Sequence, residues 1–123
     1  MYEQCTIIGN IGADPELKYL PSGDAVTNFS VAVNARWTKG DGTQGSRVTW
    51  YRVACWGRLA EVCNQFLAKG RKVMVTANRI EAESYVGKDG QPKAALKLTA
   101  SAVKFLDNPA SERDDEKADE IPF

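Results

Sequence analysis

Residues 46–70 read SRVTWYRVACWGRLAEVCNQFLAKG, and two periodicities meet inside them. Ser46–Trp56 is dense in β-branched and aromatic residues, the composition of a strand. From Arg58 the period changes. Leu59, Val62, Cys63, Phe66 and Leu67 fall at i, i+3, i+4, i+7 and i+8, which predicts one apolar helix face over Arg58–Lys69. Gly70 is then the expected C-cap, with Lys69 at the negative end of the helix dipole.

The flanking sequence reads as strands on both sides. In Ala25–Ala35, Phe29, Val31 and Val33 alternate with Asn28, Ser30 and Asn34, so this strand has one buried face. Tyr2–Ile11, with Thr6, Ile7 and Ile8, reads as an earlier strand. Between the two, GADPELKYLPSGD carries the turn signals Asp14-Pro15 and Pro21-Ser22-Gly23. Lys39–Gly45 is a glycine-rich loop. After the helix, Arg71–Tyr85 and Lys93–Phe105 read as strands joined at Asp89-Gly90, a hairpin turn.

The order is β-β-β-α-β-β. Five strands with one helix after the third is the order of the OB-fold, a small Greek-key barrel whose second and third strands often face oligonucleotides or oligosaccharides. The expected class is therefore all-β with one helix, and an α+β sandwich of the same element order is the alternative. Ile7, Ile8, Phe29, Val31, Val33, Val53, Val73, Val75, Leu96 and Leu98 are expected to fill the barrel. Asn108-Pro109 breaks the last strand, and the polar stretch beyond it cannot build a core. The expected organisation is a folded domain over 1–106 and a flexible acidic tail over 107–123.

Composition narrows the function. The chain has 123 residues, enough for one domain with a real core. Its start, MYEQCTIIGN, lacks the basic and apolar regions of a signal peptide, and no segment approaches a membrane span. Cys5, Cys55 and Cys63 form no C-x-x-C pair and read as reduced thiols of a cytoplasmic protein. With no histidine, the commonest general base and the commonest metal ligand are missing. No phosphate loop or nucleophile elbow is present. A non-enzymatic protein without catalytic residues, metal or cofactor is expected.

The zero net charge conceals two opposite halves. Residues 1–106 hold 14 Lys and Arg against 9 Asp and Glu, while residues 107–123 hold 2 against 7. A basic body implies a polyanionic partner. Its aromatic residues say which. On the third strand, Trp50 and Trp56 share a parity with Arg52 between them, about 20 Å apart at the usual strand rise. Trp37 is flanked by Arg36 and Lys39, and Tyr85 lies near Lys88 and Lys93. Bases stack on such rings for roughly 1–3 kcal/mol each while cations neutralise phosphates, without regard to sequence. A tryptophan is more often part of a core. Here the core already has its own residues, and each ring lies within three positions of a Lys or Arg.

The chain resembles the bacterial and phage type of single-stranded-DNA-binding protein. The matching stretches are IIGNIGADPELKYLPSG, AVTNFSVAVN, TWYRVACWGRLAEVCNQFLAKG, the VGKDGQ hairpin and the terminal DEIPF. The resemblance implies an OB-fold that wraps single-stranded DNA without sequence preference in replication, recombination and repair. It implies stacking at Trp37, Trp50, Trp56 and Tyr85, and a basic contact at Arg58. Trp56 stands where the family often has phenylalanine, and Tyr85 where some members have tryptophan. Ser84 is uncharged where some members carry a basic residue. A homotetramer is expected, with a homodimer as the alternative, and Tyr51 takes a place near a subunit contact. The setting would be the bacterial nucleoid or the cytoplasm of a phage host.

The tail then acquires a role. Asp119 and Glu120 precede Ile121, Pro122 and Phe123. Two apolar anchors, a stiffening proline and nearby acids suit a pocket with a basic rim. The resemblance implies docking on replication, recombination and repair proteins. The stretch before the tip is short, and a flexible chain of that length averages roughly 20–25 Å. The tip is therefore expected to compete with DNA for the body at low salt.

Three rivals stand beside this reading. An OB-fold RNA-binding or primosome-type module would prefer RNA. A nuclease would need a carboxylate-held metal, for which Asp14, Glu16 and Asp24 are the nearest acids. A pure adaptor would use the body only as a scaffold for the tail.

Overall fold

The computed structural model describes residues 1–106. Strands β1 (Cys5–Ile11), β2 (Glu16–Tyr19), β3 (Ala25–Thr38) and β4 (Gln44–Trp56) precede helix α1 (Arg58–Phe66), which is followed by β5 (Lys72–Val86) and β6 (Pro92–Phe105). β1, β5, β6, β4 and β3 pair in that order, and β1 pairs again with β3, which closes a five-stranded barrel. This is the OB-fold. All ladders are antiparallel except β4–β6, where Tyr51–Ala54 run beside Leu96–Thr99. Closure brings β1 against β3 so tightly that a Cβ on Gly9 would strike the Ala32 backbone oxygen.

Strand alternation builds the interior. Ile7 and Ile11 from β1, Phe29 and Val31 from β3, Val53 and Cys55 from β4, Val73, Val75 and Ala77 from β5 and Leu98 from β6 form the buried cluster. Of the other expected core residues, Val33 is partly buried against this cluster, and two are not there. Ile8 has the opposite parity from Ile7 and lies on the other face of β1, only partly buried. Leu96 lies beyond the packed interior and is 39% exposed.

Helix α1 plugs the barrel through Ala60 and Cys63. The fully buried Thr27 hydroxyl donates to the Ala60 carbonyl at 2.6 Å, tying helix to barrel. The Cys55 and Cys63 sulfurs lie 3.7 Å apart, and their hydrogen bond together with burial pushes the Cys55 thiol up, so it stays protonated at neutral pH. The helix ends a turn before the expected Lys69. Leu67 is extended and caps it by donating to the Cys63 carbonyl. Gly70 is not the cap; its positive φ serves the turn into β5, where its N–H donates to Ile11. Phe66, expected on the buried face, is exposed and meets Phe105 with ring centroids 6.0 Å apart.

Three other boundaries differ from expectation. The stretch read as a turn between the first two strands contains β2, which pairs with the edge of β3 from Glu16↔Asn28 to Tyr19↔Ala25. The first strand begins at Cys5 rather than Tyr2. The glycine-rich loop shrinks to residues 39–43, because β3 and β4 stay paired out to Thr38↔Gln44. At its tip the Thr43 hydroxyl and N–H both donate to Asp41, and these bonds hold the Asp41 carboxyl below the usual range. The β3–β4 ribbon is therefore longer and more regular than its glycines imply.

Candidate nucleic-acid interface

The β3–β4 register is unbroken from Val26↔Trp56 to Thr38↔Gln44, so parity along β4 holds throughout. Tyr51, Val53 and Cys55 turn toward the core. Trp50, Arg52 and Trp56 turn outward, with both indoles open to solvent at 55% and 45%, while Ala54, of the same parity, is buried. Cross-strand neighbours extend this outer face. Trp56 lies beside Val26, which lies beside Lys18; Arg52 lies between Ser30 and Lys97; Trp50 lies beside Ala32. The Trp50 ring rests over Gly12, where any Cβ would collide with it. Glycine there leaves the indole a flat seat.

Tyr85 joins the face from a different strand. In β5 the core-facing residues are first odd-numbered, Val73, Val75 and Ala77. The β5–β6 register then shifts on both sides of Ala77, leaving Asn78 and Ser101 unpaired. Beyond the shift Ile80 packs on the core, and Arg79, Glu81, Glu83 and Tyr85 take the outward parity. The same shift turns Lys93, Ala95, Lys97 and Thr99 of β6 outward. Tyr85 meets Arg52 here, with the guanidinium carbon 4.7 Å from the ring centroid. Two open clefts flank Arg52. One, of about 310 Å³, runs between Trp50 and Tyr85 over Gly12. The other, of about 380 Å³, lies among Asn28, Ser30, Glu83 and Lys97.

Trp37 stands apart from this group. It pairs with Gly45 and has the parity of Phe29, Val31 and Val33. On the part of the ribbon projecting past the barrel, that face is exposed, and Trp37 is 44% open. Its ring lies across Gly45, with the Arg47 guanidinium carbon 6.0 Å from its centroid. Alternation thus sets Trp37 on one face of the β3–β4 ribbon and Trp50, Trp56 and Arg36 on the other.

The remaining expected residues are placed as follows. Lys39 ends the ribbon turn, donating its N–H to Thr43, and is exposed. Arg58 opens α1, two residues after Trp56, and is exposed. Lys88 is exposed at the tip of the β5–β6 hairpin. Tyr51 is half-buried against the core. Asp119, Glu120, Ile121, Pro122 and Phe123, with the whole 107–123 stretch, lie outside the described residues. Arg47 and Lys97 were not anticipated. Arg47 was legible, since it stands two residues from Gly45, the partner of Trp37, and so shares that face of the ribbon. Lys97 was not, because its place beside Arg52 depends on the parallel β4–β6 ladder.

No three His, Cys, Asp or Glu residues converge as a metal site among the described residues. Asp14 and Glu16 line one cleft, while Asp24 instead accepts a hydrogen bond from Ser22 at the β2–β3 turn, so the three acids do not gather. No described helix is long and apolar enough to cross a membrane.

A barrel of this topology with aromatic and basic residues on its outer strands defines an OB-fold with an open nucleic-acid-type face. Residues 2–106 match the single-strand binding protein family, and the chain belongs to that family. It is 39% identical to the single-stranded DNA-binding protein of Helicobacter hepaticus over 123 residues, covering 100% of this chain and 68% of that protein. The Wolinella succinogenes protein of the same name is 39% identical over 108 residues, covering 88% and 66%. The chain thus spans about two thirds of the length of these relatives. Among solved structures, a Plasmodium falciparum SSB in complex with ssDNA superposes with a TM-score of 0.73 at 26% identity, covering 87% of this chain and 97% of that one. A small single-stranded DNA-binding protein from Streptomyces coelicolor gives 0.72 at 24% identity, covering 89% and 96%, and supports the fold.

Proposed function

We propose that this protein binds single-stranded DNA without sequence preference and shields exposed strands during replication, recombination and repair. The observation that carries the reading is the exposure of Trp37, Trp50 and Trp56, at 44%, 55% and 45%, each near a cation rather than inside the barrel. A half-open indole offers a flat apolar face that a planar ligand can cover. Nucleobases do so whatever their identity, because every base has a π-face. The outer face supplies Trp50, Trp56 and Tyr85 as platforms, with Arg52, Lys97 and Arg36 for phosphates. The other side of the ribbon supplies Trp37 with Arg47. The falciparum relative, solved with ssDNA, supports the same ligand for this protein.

The protein acts by binding, with no catalytic group or cofactor, in the cytoplasm of a bacterium or a phage host. Arg58 and Lys88 extend the basic border, and Lys39 adds charge at the ribbon tip. The terminal Asp119, Glu120, Ile121, Pro122 and Phe123 recruit replication, recombination and repair enzymes. The assembly is a homotetramer.

A tryptophan-fluorescence titration with oligo-dT at two salt concentrations, alongside a mass measurement in solution, tests this. The expected result is strong quenching, with log K falling against log salt by about 0.7 per phosphate neutralised. Absence of quenching, or a stated preference for single-stranded RNA, would overturn the reading. A monomer mass would remove the assembly claim alone.

A further inference from the structure

The outer face is not uniformly basic. After the β5 register shift, its outward residues include Glu81 and Glu83 as well as Arg79 and Tyr85. Each acid is already matched to a base. Arg79 Nε lies 3.1 Å from Glu81. Glu83 touches two cations at once, with one carboxylate oxygen 3.9 Å from Arg52 and the other 3.7 Å from Lys97. Arg52 is the residue that also covers Tyr85.

We propose that Glu83 is a built-in competitor for the nucleic-acid backbone: its carboxylate sits where a phosphate must go, between Arg52 and Lys97. The inference rests on the single-strand-binding reading and deepens it. Two oxygens facing two cations reproduce what a bridging phosphate would present. Both separations exceed hydrogen-bonding distance, so the carboxylate is held by charge and not by directed bonds. The groups are also well exposed to water, with side chains 52%, 37% and 37% accessible. Such pairs are weak and screened by salt. Glu83 is therefore displaceable, and a phosphate that displaces it inherits Arg52 already aligned beside the Tyr85 ring.

The consequence concerns affinity. While Glu83 holds them, Arg52 and Lys97 are partly neutralised, so each displaces fewer of the counter-ions condensed on the nucleic acid and adds less to the salt dependence of binding than a bare surface cation. The protein binds more weakly, and more through stacking, than its basic residues alone predict. Glu83 is a positioning residue, since it acts through Arg52 and Lys97.

The test compares wild type, Glu83→Gln, and Glu61→Gln for binding to oligo-dT across a salt series. Glu61 lies in the first turn of α1 and is not the ion-pair partner of Arg52 or Lys97, and its replacement makes the same charge change. Glu83→Gln is expected to bind more tightly than both others at low salt, with a log–log slope steeper by about 0.7 for each cation released. Its advantage then shrinks by two- to threefold per cation between about 50 and 200 mM salt. Glu83→Asp keeps the charge and is expected to keep the wild-type slope. Adding Arg52→Ala to Glu83→Gln should cancel much of the gain, and thermal melting verifies that every variant folds. If Glu83→Gln matches Glu61→Gln in affinity and slope while wild type binds, the competitor role is wrong. If wild type itself does not bind oligo-dT, the proposed function falls and this inference with it.

Discussion

Replacing Trp50 and Trp56 by alanine, singly and together, probes whether the outer face stacks bases. Both rings stand on one unbroken strand and are half open, and neither carries charge. Each ring that loses a stacked base should lose roughly 1–3 kcal/mol, which is about 5- to 150-fold in affinity. The six residue steps between them span about 20 Å, well past the distance at which substitutions couple. The double variant should therefore lose about the sum, roughly 2–6 kcal/mol. Because no cation is removed, the log–log salt slope should stay at the wild-type value. Fluorescence anisotropy of labelled oligo-dT at four salt concentrations reads both quantities, with oligo-dA as a check that base identity is ignored. A loss under twofold in both single variants would refute the stacking assignment. A slope shallower by 0.7 or more in either would show that the ring had been holding a phosphate-binding cation in place, and the magnitude argued here would be misattributed.

Trp37→Ala should leave the shortest oligo-dT that quenches the outer face bound as before, but weaken longer oligonucleotides that reach round the ribbon; a length series by anisotropy checks this. Thr27→Val deletes the buried donor to the Ala60 carbonyl and should cost about 1–3 kcal/mol, several degrees of Tm, with DNA binding retained. Gly9→Ala places a methyl group against the Ala32 backbone and should lower the urea midpoint, since the β1–β3 closure must open to admit it. Deleting residues 113–123 should abolish partner capture and tighten single-strand binding at low ionic strength; unchanged low-salt affinity would remove the competition expected of the tail.

The parts of this architecture that rest on local rules were readable in the chain. Alternation in β3 and β4 is unbroken, so the outward parity of Trp50, Arg52 and Trp56 follows from counting. The helix period between what became β4 and β5 marked the element order of the barrel. What could not be read depends on long-range pairing. Odd residues of β5 face the core at Val73 and Val75, so counting onward by twos would bury Glu83 and Tyr85. The paired irregularities at Asn78 and Ser101 reverse that parity, and no glycine or proline marks them. Trp37 shows the opposite case. Its neighbours Arg36 and Lys39 grouped it with the other rings, but charge proximity carries no information about faces; the register with Gly45 does.

That reversal also explains how the face acquires its acids. Had β5 kept one parity along its length, Glu81, Glu83 and Tyr85 would lie on the opposite face of the strand from Arg52 and Lys97. The shift instead puts both glutamates beside Arg79, Arg52 and Lys97 on the surface that also carries the aromatic platforms. An irregularity needed to bend two strands round a small barrel thus fixes the charge of the binding surface. On the competitor reading, the face releases a strand more readily than a bare basic groove, because Glu83 replaces the departing phosphate at Arg52 and Lys97. Stacking then carries the larger share of affinity, and stacking is the part that salt does not screen. The proposed role, coating any sequence and yielding it again, is served by that division. The salt slope of Glu83→Gln against wild type measures how far it extends.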